Sequence, residues 1–307
     1  MIELSEVTKI FGRRPAVDGL SLRVSRGEIF GLLGHNGAGK STAIGMMLGQ
    51  VWPTAGEVRV CGHDLTRHRE QALAKVGAIF EAPVFYDYLS GWRNLELLSY
   101  YSGPTEPARI REVVEWVGLT GREQAKVRTY SHGMRARLAI AQALLPAPEL
   151  LILDEPSDGL DPEGIHEMRQ TIQRLRRELG LTILLSSHLL NEVEQLCTRI
   201  AVMNQGRKVF EGTLADATRQ TNRVRLEVDD FAAAVAGLRA AELIVAEQGS
   251  EHVILRAGVA TAQVTRWLVQ HDFAVHAIAG EEQTLEDFYL SLMGDARDAA
   301  VRKGGPP

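Results

Sequence analysis

The chain contains the sequence GHNGAGKST at residues 34–42. The apolar residues 29–33 before it predict a buried strand, and residues 43–48 after it are typical of a helix. Glycine adopts backbone conformations that are closed to other residues, so successive N–H groups of such a loop can turn toward one anion. The dipole of the following helix also favours negative charge there. A glycine loop between a strand and a helix therefore predicts a phosphate-binding site.

Two side chains of this loop have predicted roles of their own. Lys40 would reach the β- and γ-phosphates of a nucleotide, and the Ser41 hydroxyl would ligate Mg²⁺. The chain contains no Asn-Lys-x-Asp run of the kind that reads guanine, which favours ATP over GTP. The loop residues that we expect to bind the nucleotide are Gly34, Asn36, Gly37, Gly39, Lys40, Ser41 and Thr42.

The composition is ordinary for a globular protein. The 307 residues carry a formal net charge of −5, with 45% hydrophobic and 24% charged residues. This length can hold a nucleotide-binding domain and a smaller second domain. A mildly acidic chain is unlike a dedicated nucleic-acid binder, so we expect no nucleic-acid partner. No apolar run is long enough to span a bilayer, and Cys61 and Cys197 are expected to be reduced thiols.

The order of predicted elements indicates two domains. Short strands in the first 60 residues suggest an antiparallel β layer, and a helical subdomain is expected at about 82–145. Strands then alternate with helices up to residue 204, which predicts a parallel sheet covered by helices. After residue 212 the predicted order β-α-β-β-α-β is that of a ferredoxin-like fold, with a last helix at 284–293. We expect an α/β P-loop NTPase core at 1–215, an accessory α+β domain at 222–293 and a disordered tail at 294–307.

Two acids follow the apolar run 150–153, which predicts another buried strand. At its carboxyl end Asp154 would lie beside the phosphate loop, where a carboxylate can hold Mg²⁺ directly or through water. Glu155 is then placed to polarise the attacking water as a general base. The alternative is that the two acids simply end a buried strand where it meets solvent.

With these motifs in order, residues 1 to about 215 resemble the ATP-binding subunit of an ABC transporter. The sequence YSHGM at 130–134 is similar to the LSGGQ signature of that family and keeps Ser131 and Gly133. The resemblance implies that this pair forms a second phosphate cradle, facing the γ-phosphate held by the other subunit. The alternative is that Ser131 only caps the following helix.

Three more residues match positions with a known role in the family. Phe11 falls where an aromatic ring stacks on adenine, although a core aromatic explains it equally well. Asp161 falls where the two nucleotide sites communicate, and it can also cap the helix that begins at Pro162. His188 matches the switch histidine, which contacts the γ-phosphate and supports the geometry of the attacking water.

One departure from the family lies at the third predicted Mg²⁺ ligand. Glu81 stands where the family usually has glutamine, so an oxygen is kept for the metal while the amide donor is lost and a negative charge is added. The neighbouring sequence and the Ser-x-Gly-Met signature are similar to the ATPases of bacitracin- and lantibiotic-type exporters, whose permeases are of the ABC-2 kind. The aromatic residues Tyr86, Tyr88 and Trp92 could form a permease interface or the core of the helical subdomain.

The resemblance implies an ATPase subunit that powers a separate membrane permease. We expect a head-to-tail homodimer that binds ATP and Mg²⁺ at the cytoplasmic face of a bacterial membrane, as a peripheral protein. Its partner would be an ABC-2 type permease that exports a drug, a peptide antibiotic or a lipid-like substrate. The alternative is a soluble ABC-type ATPase that acts on ribosomes or chromosomes, and a module that binds ATP but scarcely hydrolyses it is a third possibility.

Overall fold

The structure is a computed structural model that describes residues 1–80, 84–101, 103, 105–218, 223–280 and 284–302. From residue 294 onward only the helical backbone is described. The chain divides into two compact units, Met1–Leu214 and Ala215–Pro307, and each is treated by itself below.

The first unit begins with an antiparallel sheet. Strand β1 (Ile2–Phe11) pairs with β2 (Arg14–Val24) on one side and with β4 (Ala55–Val60) on the other, and β4 pairs with β5 (His63–Asp64). Buried and more exposed residues alternate over Ile2–Ser5 of β1 and over Leu20–Val24 of β2, as expected for a sheet with one covered face. This is the antiparallel layer that the sequence predicts.

A second sheet lies behind this layer and carries the phosphate loop. Its central strand β3 (Ile29–Leu33) is wholly buried and runs parallel to β8 (Thr182–Ser187) and β9 (Arg199–Asn204). Strand β8 is parallel to β7 (Leu150–Asp154), and β7 is parallel to β6 (Val76–Ile79). Strand β10 (Arg207–Thr213) closes the other edge in antiparallel pairing with β9. The loops that follow β3, β7 and β8 therefore leave the same edge of the sheet side by side.

Helices cover this sheet, and three of them lie within the residues for which the sequence predicts a helical subdomain. Helix α1 (Lys40–Met47) follows the phosphate loop. Helix α5 (His132–Leu144) packs against α3 (Gly91–Ser99), α4 (Pro107–Trp116) and α6 (Pro162–Leu179). The sequence prediction of helices between Trp92 and Leu145 is confirmed by α3, α4 and α5. The remaining helices of the unit are α2 (Arg69–Leu73), a 3₁₀ helix (Val127–Thr129) and α7 (Leu190–Leu196), and α8 (Leu214–Ala217) leads out of it.

The second unit has the ferredoxin-like topology that the sequence predicts. Its elements are β11 (Arg223–Val228), α9 (Phe231–Ala240), β12 (Ile244–Gln248), β13 (His252–Leu255), α10 (Thr261–Gln270), β14 (Val275–Gly280) and α11 (Leu285–Arg302). The strands pair antiparallel in the order β12-β13-β11-β14, and α9 and α10 pack on them over a separate hydrophobic core. One element differs from the prediction, because α11 continues to Arg302 instead of ending at Met293.

Candidate functional site

The phosphate loop joins β3 to α1 in the predicted strand–loop–helix arrangement. Gly39, at the start of α1, has a φ of +105°, and a Cβ at this position would lie 2.5 Å from the carbonyl oxygen of Ala16. No other residue type fits a position that is both left-handed and this close to a neighbouring backbone. The glycine at 39 is therefore required by the loop conformation.

Lys40 folds back over the loop. Its side chain is only 5% exposed, and its Nζ donates a hydrogen bond of 2.6 Å to the Gly34 carbonyl oxygen. The same Nζ lies 3.1 Å from Glu155 Oε1. Lys40 is thus a buried cation held between the phosphate loop and the end of β7.

Glu155 connects Lys40 to His188. Its Oε2 lies 2.7 Å from His188 Nδ1 and also accepts a hydrogen bond of 3.3 Å from the His188 backbone N–H. Its φ of +49° is unusual for a residue other than glycine, and such strain persists only where the surroundings hold it. The structure thereby brings together three predicted site residues from three different segments of the chain.

Asp154 is 8% exposed and is oriented by a residue that the sequence does not single out. Ser186 Oγ donates a hydrogen bond of 2.5 Å to Asp154 Oδ1 and accepts one of 2.9 Å from the Glu155 N–H. In the parallel register Ser186 stands directly opposite Asp154, so a correct alignment of β7 with β8 would have found it. Ser186 therefore links the carboxyl end of β7 to the neighbouring strand β8.

The phosphate loop and the segments that follow β7 and β8 line an open cavity of about 370 Å³. The predicted residues that line it are Asn36, Gly37, Gly39, Lys40, Ser41, Thr42, Glu155 and His188. Within the described part of the chain, no three His, Cys, Asp or Glu side chains form a cluster able to hold a metal by themselves. The hydroxyl of Ser41 and the carboxylate of Asp154 are hard oxygen donors, which fit Mg²⁺ in the manner it usually adopts, with one or two protein ligands and the phosphates of a nucleotide.

The signature residues lie at the starts of two packed helices. Ser131 Oγ accepts a hydrogen bond of 3.2 Å from the Met134 N–H and so caps α5. Asp161 Oδ1 accepts one of 2.9 Å from the Gly164 N–H and caps α6. Gly133 is buried, and a Cβ there would lie 3.5 Å from the Gly164 Cα. Both capping alternatives are therefore realised, and none of the signature residues is among the described residues that line the cavity.

The remaining predicted residues fall outside this cluster. Phe11 is 53% exposed with Lys9 Nζ 5.0 Å from its ring centroid, so the alternative of a core aromatic is wrong. Tyr86 and Tyr88 are also exposed and are therefore not core residues. Glu81 lies outside the described residues.

One buried acid near the site was missed by the sequence analysis. Glu192 of α7 is 5% exposed, and burial raises the pKa of its carboxyl, while a hydrogen bond from Ser157 opposes that rise. It lies four residues after His188 in a polar stretch, so its burial depends on the packing of α7 and not on a local pattern.

Comparisons with known proteins agree with the geometry of the site. The ABC transporter family matches residues 17–158. The chain is 38% identical to an uncharacterized ABC transporter ATP-binding protein, YhcH of Bacillus subtilis, over 97% of both chains. It is 37% identical to the bacitracin transport ATP-binding protein BcrA of Bacillus licheniformis, over 96% of this chain and 97% of that one.

A solved structure shares the fold of the first unit. It is the dimeric post-hydrolysis state of the ATP-binding cassette MJ0796 bound to ADP and Pi, which is 25% identical with a TM-score of 0.62 and covers 70% of this chain and 99% of its own. Among the residues that the structure describes, no helix combines the length and the apolar character needed to cross a membrane.

These findings favour the transporter reading of the sequence over the alternative of an ATPase that acts on ribosomes or chromosomes. The predicted P-loop NTPase fold is confirmed by the sheet topology and by the solved cassette. The chain belongs to the ATP-binding subunits of ABC transporters, which bind and hydrolyse ATP, dimerise and act with membrane permease subunits.

Proposed function

We propose that this chain hydrolyses Mg-ATP to power a separate export permease of the ABC-2 kind. The observation that supports this most strongly is the contact of Lys40, Glu155 and His188 beside the phosphate loop. These three residues supply a cation for the phosphates, a carboxylate for the attacking water and a ring that holds this carboxylate in place. These three groups are suited to hydrolysis, because ATP binding alone requires neither a carboxylate for the attacking water nor a ring that holds this carboxylate.

The roles in the nucleotide site follow from these positions. The backbone of the phosphate loop and Lys40 would hold the β- and γ-phosphates, and Thr42 would support them from α1. Ser41 and Asp154 would hold Mg²⁺, with Glu81 as a ligand predicted from the sequence alone. When bound, Mg²⁺ neutralises charge on the phosphate oxygens. Phe11 is exposed and can stack on adenine.

Glu155 is the proposed general base. Its Oε2 contacts both the ring Nδ1 and the backbone N–H of His188. These two contacts fix the orientation in which the carboxylate would accept a proton from water. The Ser186–Asp154 hydrogen bond keeps the preceding residue in place. Turnover then depends on keeping this orientation when Lys40 engages the γ-phosphate.

We further infer that two copies assemble head to tail. Ser131 and Gly133 at the start of α5 and Asp161 at the start of α6 would face the nucleotide held by the second copy, since helix N-termini attract phosphate. Their absence from the residues that line the cavity of their own chain supports this inference. In this arrangement closure on ATP and opening after hydrolysis would move the permease.

The similarity to a bacitracin transport protein supports export of a drug, a peptide antibiotic or a lipid-like substrate. The chain would then act as a peripheral protein at the cytoplasmic face of a bacterial membrane. Residues 1–215 are the proposed ATP-binding domain, with the helical subdomain at about 82–145. Residues 222–293 are the proposed accessory domain, and its last helix, α11, continues to Arg302.

The decisive variant is Glu155→Gln, which keeps the size of the side chain and removes its basicity. We expect turnover of Mg-ATP to fall by about 10² to 10⁴-fold, the usual contribution of a general base, while ATP binding is retained. Steady-state phosphate release and equilibrium binding of a fluorescent ATP analogue measure the two quantities. The exposed Glu70→Gln, on α2, is the matched control and should leave both unchanged. Full turnover by Glu155→Gln would reject Glu155 as the base.

A further inference from the structure

Ser186 of β8 has a hydroxyl group that bonds two of the proposed site residues. It is fully buried, and the residues before it in the strand, 183–185, are apolar. Its Oγ donates a hydrogen bond of 2.5 Å to Asp154 Oδ1 and accepts one of 2.9 Å from the Glu155 backbone N–H. A hydroxyl group has one proton and a carboxylate oxygen only accepts, so the proton of Ser186 is directed to Asp154.

The fold alone does not require a hydroxyl group at this position. Ser186 stands opposite Asp154 in the register of two parallel strands, and the neighbouring pair, Leu153 with Leu185, is apolar on both strands. A buried strand favours apolar and β-branched residues, and a buried hydroxyl group costs free energy unless it is hydrogen-bonded. The serine is therefore better explained by its effect on the carboxylate than by the packing of the sheet.

The hydrogen bond from Ser186 restricts the rotation of the Asp154 carboxylate. The last torsion of an aspartate side chain has only broad preferences, so a carboxylate without such a bond samples many orientations. Asp154 is 8% exposed, so water can replace this partner only in part. Groups that orient a metal ligand raise the affinity of the site, and their removal typically lowers metal affinity by about 10- to 100-fold.

We propose that Ser186 is a positioning residue of the metal site, whose hydroxyl group orients the Asp154 carboxylate for Mg²⁺. This inference rests on the proposed function, since it takes Asp154 as a ligand of the Mg²⁺ of Mg-ATP. Ser186 touches neither the nucleotide nor the metal in this role. Its hydroxyl group therefore raises the affinity for Mg-ATP and leaves the affinity for ATP without metal to the phosphate loop.

The test compares Ser186→Thr with Ser186→Val in the full chain, because the two side chains have nearly the same shape and only threonine keeps a hydroxyl group. Binding of a fluorescent ATP analogue is measured with Mg²⁺ and with EDTA, and the ratio of the two dissociation constants gives the contribution of the metal. We expect this contribution to fall by about tenfold in Ser186→Val and to stay within about threefold in Ser186→Thr. The dissociation constant in EDTA should stay within about twofold in both variants, because the phosphate loop is unchanged.

Affinity is measured here and not turnover, because the same hydroxyl group accepts from the Glu155 N–H. Its removal therefore lowers kcat for a second reason. Ser186→Ala adds no methyl group to the buried strand and should lose the metal contribution in the same way as Ser186→Val.

Thr182→Val is the matched control. Thr182 is fully buried at the other end of the same strand, where its Oγ1 accepts a hydrogen bond of 2.9 Å from the Gly27 N–H. The variant removes a buried hydroxyl group far from the carboxylate and should keep the metal contribution.

An unchanged metal contribution in Ser186→Ala would overturn the proposal, even if Ser186→Val fails to fold. So would equal losses in Ser186→Thr and Ser186→Val, or an affinity that falls equally with Mg²⁺ and with EDTA. Asp154→Asn tests the proposed ligand separately. If that variant loses the metal contribution while Ser186→Ala keeps it, only the role of Ser186 is rejected. If Asp154→Asn keeps it as well, the metal role of Asp154 in the proposed function is rejected.

Discussion

At the scale of single residues, the site is organised around the contact of Lys40 with Glu155. Lys40 Nζ lies 3.1 Å from Glu155 Oε1 and donates to the Gly34 carbonyl oxygen. An ammonium group offers three donors, so these two partners leave one N–H of Lys40 for the phosphate that it is proposed to bind.

Glu192 also allows a prediction about pH and stability. Burial raises the pKa of its carboxyl above the ordinary value of 4.5, so the folded state disfavours the ionised form. Below pH 4.5 the group is protonated in both the folded and the unfolded state, and the free energy of unfolding falls as the pH rises from there through the raised pKa. Glu192→Gln should therefore raise the melting temperature at pH 7.5 and lose this advantage near pH 4.5. An increase of the same size at both pH values would contradict it.

A control of opposite sign is available on α6. The pKa of Glu178 is lowered, chiefly by a hydrogen bond from Arg177. Desolvation opposes this shift, and a hydrogen bond from Arg174 adds to it. The stability that Glu178 contributes is therefore present at neutral pH and is lost as the pH falls through its lowered pKa. Glu178→Gln should give a small decrease of the melting temperature at pH 7.5 and none in strong acid. The effect is small because the pair is exposed.

At the scale of elements, one contact decides how closely two helices of the second unit approach. Gly237 on α9 lies against Trp267 on α10, and a Cβ at position 237 would lie 2.2 Å from the indole ring. Gly237→Val should therefore destabilise the second unit by about 1–3 kcal/mol through overpacking, even though glycine is the poorer helix former. Urea denaturation followed by tryptophan fluorescence measures the change. Ala236→Val, at the exposed neighbouring position, is the control, and an equal loss in both variants would reject the packing argument.

Elements were predictable where the local pattern carries the signal. A glycine loop follows the apolar run of β3, and two acids follow the apolar run of β7, which identifies both strands. Because the strands belong to one parallel sheet, Lys40 and Asp154 lie at the same edge of it. Ser186 and Glu192 were not predicted, because a serine at a strand end and a glutamate in a polar helix look like exposed residues. Their burial depends on which strand and which helix lie beside them. The end of α11 was missed for a related reason, since its last residues lack an apolar period.

At the scale of the whole molecule, the proposed catalytic residues lie in the first unit, and the second unit has its own sequence range and its own hydrophobic core. The cavity residues and the larger hydrophobic cluster all come from residues 1–214, and the ferredoxin-like unit has a cluster of its own. The βαββαβ order predicted this unit because its hairpins and helices are local in the chain. Its task was not predictable, since a fold specifies no chemistry without a site.

A chain that ends at Thr218 tests whether the chemistry depends on the second unit. The truncated protein keeps the phosphate loop, Asp154, Glu155 and His188 together with the whole first core. We expect it to fold cooperatively and to hydrolyse Mg-ATP with kcat within about threefold of the full chain, because independent cores fold independently. Circular dichroism and phosphate release measure both. The same truncation carrying Glu155→Gln is the control and should be inactive, which shows that the remaining turnover comes from this site. A truncated chain that melts cooperatively but has lost turnover would show instead that the second unit takes part in catalysis.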